Sequence, residues 1–188
     1  MAGAIPTPPA QGSPPGGRPS PFRPRRVLGL DPGSRIAGYA IVDLEAPGRF
    51  RYRECGTLVA NPRAELPDRL LELATELRAL VREFAPDEAA VEDVFQQKHA
   101  RAALVLGHAR GVVLLVAAEA GLAVTAYPPA TVKRTVCGNG RADKEQVQRM
   151  VAALTGLKQL PATDAADALA IALCHCLHVP AAERGART

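Results

Sequence analysis

The sequence predicts an α/β fold: a five-stranded mixed sheet, an antiparallel three-stranded hairpin unit plus two parallel strands, flanked by helices. Three observations predict it. Three apolar strand patterns follow one another with only short turn signals between them, as in an antiparallel meander. Two further apolar strands are each reached through a long helical pattern, and such crossovers make parallel pairs. Helical segments close the chain and supply cover for the sheet.

The first strand is Arg26-Val-Leu-Gly-Leu-Asp31, ended by an acid and the turn Pro32-Gly33-Ser34. The second covers 36–43, and the third covers 50–59 after the break at Pro47-Gly48. Leu66, Leu70, Leu73, Leu77, Leu80 and Phe84 then recur at helical spacing, with Pro67 in the first turn. Such a stripe suits packing on a sheet better than a coiled-coil seam. Glu88-Ala-Ala-Val-Glu92 reads as a buried strand and 100–120 as a second, mostly apolar helix. A fifth strand at 122–127 is stopped by Pro128-Pro129, and helical segments at 143–154 and 164–177 follow. No internal repeat is visible.

At 188 residues the chain allows one ordinary domain, 26–179, between tails at 1–25 and 180–188. Hydrophobic residues at 47% against 22% charged are enough for a core, which excludes a wholly disordered, collagen-like or disulfide-scaffold protein. The longest apolar stretch, 111–127, contains Glu119 and falls short of a bilayer span, so no membrane association is expected. The start lacks the apolar segment of a secretory signal. Four cysteines without a paired framework fit reduced thiols and a cytoplasmic location.

The net charge of +4 resides in the tails. Residues 1–26 hold eight prolines, four glycines, four arginines and no acid, a composition that cannot order itself by burial. The residues from Pro180 onward add one positive charge, which leaves −1 for 27–179. A polyanion partner must therefore meet a local basic patch or bridging metal ions.

Four acids stand in apolar surroundings: Asp31 and Glu92 at strand ends, and Asp164 and Asp167 on one face of an Ala/Leu helix. Asp31 alone could initiate a turn, and Asp164 alone could cap a helix. Together they make a set of hard oxygen ligands suited to Mg²⁺ or Mn²⁺, because buried carboxylates need cations or hydrogen bonds. Two such ions can clamp a phosphodiester, one activating water and the other stabilising the leaving oxygen. Cys174-His175-Cys176-Leu177-His178 lacks zinc spacing and reads as a helix end with buried thiols. No motif supports His99 or His108 either.

Five segments then point to a family: Leu28-Gly-Leu-Asp-Pro-Gly-Ser-Arg-Ile-Ala-Gly-Tyr39, Val91-Glu-Asp-Val-Phe95, Leu106-Gly-His-Ala-Arg-Gly111, Val132-Lys-Arg-Thr-Val-Cys-Gly138 and Asp164-Ala-Ala-Asp-Ala-Leu-Ala-Ile171. In that order they resemble the RuvC family of crossover junction endodeoxyribonucleases, the Holliday junction resolvases. The resemblance implies an RNase H-like fold and a homodimer making paired symmetrical nicks across four-way junction DNA, leaving 5′-phosphate ends, in recombination and repair. It implies two divalent ions per active site on the catalytic carboxylates Asp31, Glu92, Asp164 and Asp167, with Lys144 beside them. Phe95, Lys98, Lys133 and Lys144 match DNA-binding positions, and partnership with the RuvA–RuvB branch-migration machinery is implied by family. An exposed Phe95 could stack on an unpaired base, and Lys133 and Lys144 could neutralise phosphate charge.

Asp93 stands where the family often carries Gln, and strand alternation should turn it away from Glu92. Asn139, Arg141 and Asp143 also depart from common family choices. The runner-up is a RuvX-type nuclease with the same chemistry on another nucleic acid. An actin-like kinase lacks room for its second domain, and a noncatalytic junction binder should have lost an acid. The approximately central helix, 100–120, with Gly107 and Gly111 four apart, is the expected dimer contact.

Overall fold

The computed structural model describes residues 22–93 and 100–185, with side chains through residue 178. The strands are β1 (Arg25–Asp31), β2 (Ile36–Ala46), β3 (Arg49–Val59), β4 (Glu88–Glu92) and β5 (Ala123–Tyr127). They form one five-stranded sheet of order β3-β2-β1-β4-β5. β1 pairs antiparallel with β2, and β2 with β3, whereas β4 runs parallel to β1 and β5 parallel to β4. This is the expected mixed sheet.

Helices α1 (Leu66–Phe84) and α2 (Ala100–Glu119) are the two crossovers. They cover one face, where Leu77, Leu80, Val113 and Val116 pack on Leu28, Leu30, Ile41 and Val91. The opposite face holds α3 (Pro129–Cys137), α4 (Lys144–Thr155) and α5 (Thr163–Gly185). There the α5 side chains Ala168, Leu169 and Ala172 close on Val27, Ala40 and Val42. Burial on both faces explains why the middles of β1 (27–30) and β4 (89–91) are wholly apolar.

Three local expectations need correction. Pro128 and Pro129 do stop β5, but they also begin α3, a helix missing from the sequence reading. Pro128 is its N-cap and Pro129 its first residue, where the absent N–H costs nothing. The last helix runs to Gly185 rather than 177, past the domain boundary placed at 179. Finally, α2 is long and apolar enough to cross a bilayer by length and composition, although no such stretch was expected. Its inner side instead joins the core through Ala109, Val113, Val116 and Ala117.

The Cys-His-Cys segment therefore lies inside α5, with both thiols fully buried as expected. His175 has a role the sequence did not signal. Tyr127 Oη and His175 Nδ1 share a hydrogen bond of 2.9 Å, and His175 Nε2 donates to Glu88 Oε2 at 2.7 Å. Arg25 Nη1 donates to Glu88 Oε1 at 2.7 Å. The Glu88 carboxylate can only accept, which places a hydrogen on Nε2. Burial works to raise the Glu88 carboxyl, but the hydrogen bonds from His175 and Arg25 outweigh it and hold it below its usual range. This network ties β1, β4, β5 and α5 together along one face of the sheet, from Arg25 and Glu88 at the strand starts to Tyr127, the register partner of Glu92.

Candidate active site

Side chains alternate along β1, so Leu28 and Leu30 face α1 and α2 while Val27, Gly29 and Asp31 face α5. On β4 the same alternation turns Glu92 toward α5. The parallel register pairs Leu30 with Val91, and continuing it sets Asp31 beside Glu92. Both acids thus project from adjacent strand ends onto the face that α5 crosses.

What brings α5 down to them is glycine. A Cβ on Gly38, the partner of Asp31 in β2, would lie 2.0 Å from the Asp164 carbonyl oxygen. A Cβ on Gly29 would lie 2.3 Å from the Ala168 carbonyl oxygen. Only strands lacking side chains at those points let the helix backbone approach so closely. The sequence reading saw both glycines within the first motif but not this packing role. Glycine inside an otherwise apolar strand was the available signal.

As a result, carboxylate oxygens of Asp31, Asp164 and Asp167 lie within 4.8 Å of one another. Burial, followed by the charges of Glu92, Asp167 and Asp164, pushes the Asp31 carboxyl from 3.8 up to about 7, with Lys144 opposing. Glu92 is raised by burial and by Asp167, against Lys133 and Lys144. Burial also raises Asp167, with Lys144 pulling the other way. Mutual repulsion among half-buried carboxylates is the condition that bound divalent cations relieve, and the all-oxygen donor set suits Mg²⁺ or Mn²⁺. The residues fit such ions.

Lys144 opens α4, whose start is fixed by a capping box between Asp143 and Gln146. Its Nζ stands 3.6 Å from Asp167 Oδ2. Lys133, on α3, lines a small cleft with Glu92 and Asp167. Asp93 turns away as expected and pairs with Arg110 at 3.3 Å. Asp164 lies within the first turn of α5 rather than capping it. Phe95 and Lys98 lie outside the described residues.

The model of the family "Crossover junction endodeoxyribonuclease RuvC" matches residues 27–175, nearly the whole folded region. The chain belongs to the RuvC family. A relative named crossover junction endodeoxyribonuclease RuvC from Halorhodospira halophila is 49% identical over 166 residues, covering 86% of this chain and 98% of that protein. The solved structure of Thermus thermophilus RuvC in complex with a Holliday junction substrate superposes with TM-score 0.79 at 33% identity. The match covers 85% of this chain and 97% of that one. The yeast mitochondrial Holliday junction resolvase Ydc2, at 14% identity and TM-score 0.63, covers 87% of this chain and shares the fold. The RNase H-like expectation stands, and the RuvX-type alternative is not favoured.

Proposed function

We propose that this chain is the RuvC endonuclease of its organism and resolves four-way DNA junctions by hydrolysing a phosphodiester in each of two strands, in recombination and repair. The observation that carries the reading is the carboxylate cluster Asp31, Asp164 and Asp167, with Glu92 beside it, in a chain of this family. Two Mg²⁺ or Mn²⁺ ions held by these four residues would activate water and stabilise the leaving 3′ oxygen. Asp31 and Glu92, fixed on strand ends, and Asp164 and Asp167, fixed on α5, provide rigid anchorage for the scissile phosphate's surroundings. Lys144, tethered to Asp167, and Lys133, at the Glu92 cleft, bring positive charge to the phosphate. Phe95, on the strength of its motif, and Lys98, three residues beyond it, complete the proposed DNA-binding set.

Cleavage is tested with full-length protein on a synthetic four-way junction and on linear duplex, with Mg²⁺ or Mn²⁺. Asp31→Asn should abolish nicking and retain junction binding, since affinity comes mainly from phosphate contacts. A variant cutting at the wild-type rate would overturn the ligand assignment, and equal cutting of duplex would favour the RuvX-type reading.

The working unit in this proposal is a homodimer, because two strands need two sites related by a twofold axis. Support comes from α2, where Leu104 is 62% and Leu115 55% exposed, and where nothing lies within 4 Å of a Cβ placed on Gly107 or Gly111. An apolar face left open in one copy is what a second copy would cover. Gly111→Glu should sediment as a monomer that loses paired nicking; a wild-type monomer with coordinated nicking would defeat this assembly. Action in the cytoplasm beside the RuvA–RuvB machinery follows from family membership and is part of the same proposal.

A further inference from the structure

Residues 27–179 carry a charge of −1 and four acids gather at the site, so DNA affinity calls for basic groups beyond Lys133 and Lys144. A groove of about 690 Å³ supplies them. Ser34 and Arg35 form one wall, in the turn that follows Asp31; Arg69 and Arg101 project from the first turns of α1 and α2, over an apolar floor of Val105 and Leu106. These elements begin or end at the same edge of the sheet as Asp31 and Glu92, so the groove opens beside the carboxylate cluster, across the β1 end from α5.

Among the described residues the three guanidinium groups make no hydrogen bond within the fold. Among the described residues none of their side chains has an ion-pair partner, and no acid lines the groove. Arg69 is the telling one: its Nε is buried without any hydrogen-bond partner. A buried donor left unmade is costly, and such an atom persists where a ligand satisfies it. Glu72 and Glu76 line a separate small cleft that shares Arg35, and Glu72 Oε2 is already engaged by the Asn61 N–H. Guanidinium groups aimed together from helix N-termini, with a serine hydroxyl at hand, are a receptor for a phosphodiester anion.

We infer that Arg35, Arg69 and Arg101 hold a backbone phosphate of the junction other than the one being cut. Resting on the junction-cleaving reading, this assigns the groove a positioning role: it fixes the register of the strand relative to the metal site without touching the reacting atoms. A guanidinium fork matches phosphate bidentately, which a lysine there would not reproduce.

The test uses Arg69→Met in the full-length protein, which keeps the unbranched stem and removes the guanidinium. Junction affinity is measured in EDTA across a salt series, beside thermal unfolding and single-turnover cleavage at saturating protein. One lost phosphate contact should weaken binding about tenfold at moderate salt and flatten the slope of log K against log salt by about 0.9. The melting temperature should hold or rise, because a buried unpaired donor has gone, and the saturated cleavage rate should change far less than affinity. Arg35→Gln and Arg101→Gln should lower the slope in the same direction. Wild-type affinity and slope in all three variants would overturn the proposal, as would a fall in melting temperature for Arg69→Met with the slope unchanged. The wild-type arm tests the junction reading separately: a wild type preferring linear duplex refutes that reading, whereas a wild-type-like Arg69→Met refutes only the groove.

Discussion

Gly38→Ala tests whether the close approach of α5 to the sheet builds the active site. The added Cβ would stand 2.0 Å from the Asp164 carbonyl oxygen and 3.2 Å from the Ala168 Cβ. Ordinary contact begins at 3.4 Å, so the first turn of α5 must retreat by about 1.4 Å. The obstacle is helix backbone, which cannot rotate away as a flexible side chain would. Overpacking of this kind costs roughly 1–3 kcal/mol. Alanine recovers about 0.4–1 kcal/mol by restricting the unfolded chain. The net loss should lower the melting temperature by several degrees, at roughly 2–4 °C per kcal/mol for a domain of this size. Cleavage should suffer more, because the retreating turn carries Asp164 and leads into Asp167, and a misplacement of about 1 Å can cost about 100-fold in rate. Junction binding should stay near wild type, since Lys133, Lys144 and the groove arginines sit on elements other than the retreating turn. Single-turnover cleavage, binding in EDTA and calorimetry together read all three quantities. A Gly38→Ala protein that cuts at the wild-type rate would refute the reasoning, for α5 would then have room the geometry denies it.

In EDTA, Asp31→Asn should raise the melting temperature strongly at pH 8 and much less at pH 4.5. The folded carboxyl titrates at about 7 against 3.8 for the ordinary group, so the folded state keeps a proton that the unfolded chain gives up between those values. Wild-type stability therefore falls as pH rises through that window while the Asn variant is exempt, and equal gains at both pH values would contradict the repulsion. Asp93→Asn should keep most cleavage activity and lose at most about 1 kcal/mol, because its partly exposed pair with Arg110 lies outside the cluster. A loss as deep as that of Glu92→Gln, measured in the same assay, would mean that β4 turns the other acid inward.

The sequence by itself determined most of the elements and which acids needed a chemical reason. Apolar runs ending in Asp31 and Glu92, and the helical spacing of Leu66 to Phe84, are local patterns, and local patterns survive without a partner. The acid quartet was legible because carboxylates in apolar surroundings need a reason. Only the tertiary structure decided how the quartet meets. Gly29 and Gly38 look alike as strand glycines until α5 is laid across them, and nothing in the chain states that Ala168 and Asp164 will be the residues above. The same holds for Pro129, which reads as a strand stop until a helix is seen to begin there, and for His175, whose partners Tyr127 and Glu88 lie far away along the chain. Arg35, Arg69 and Arg101 carry no common motif and converge only when three separated segments reach one edge of the sheet. Periodicity records which face of an element is buried; which atoms that face meets is a matter of packing between distant segments, and packing is settled in three dimensions.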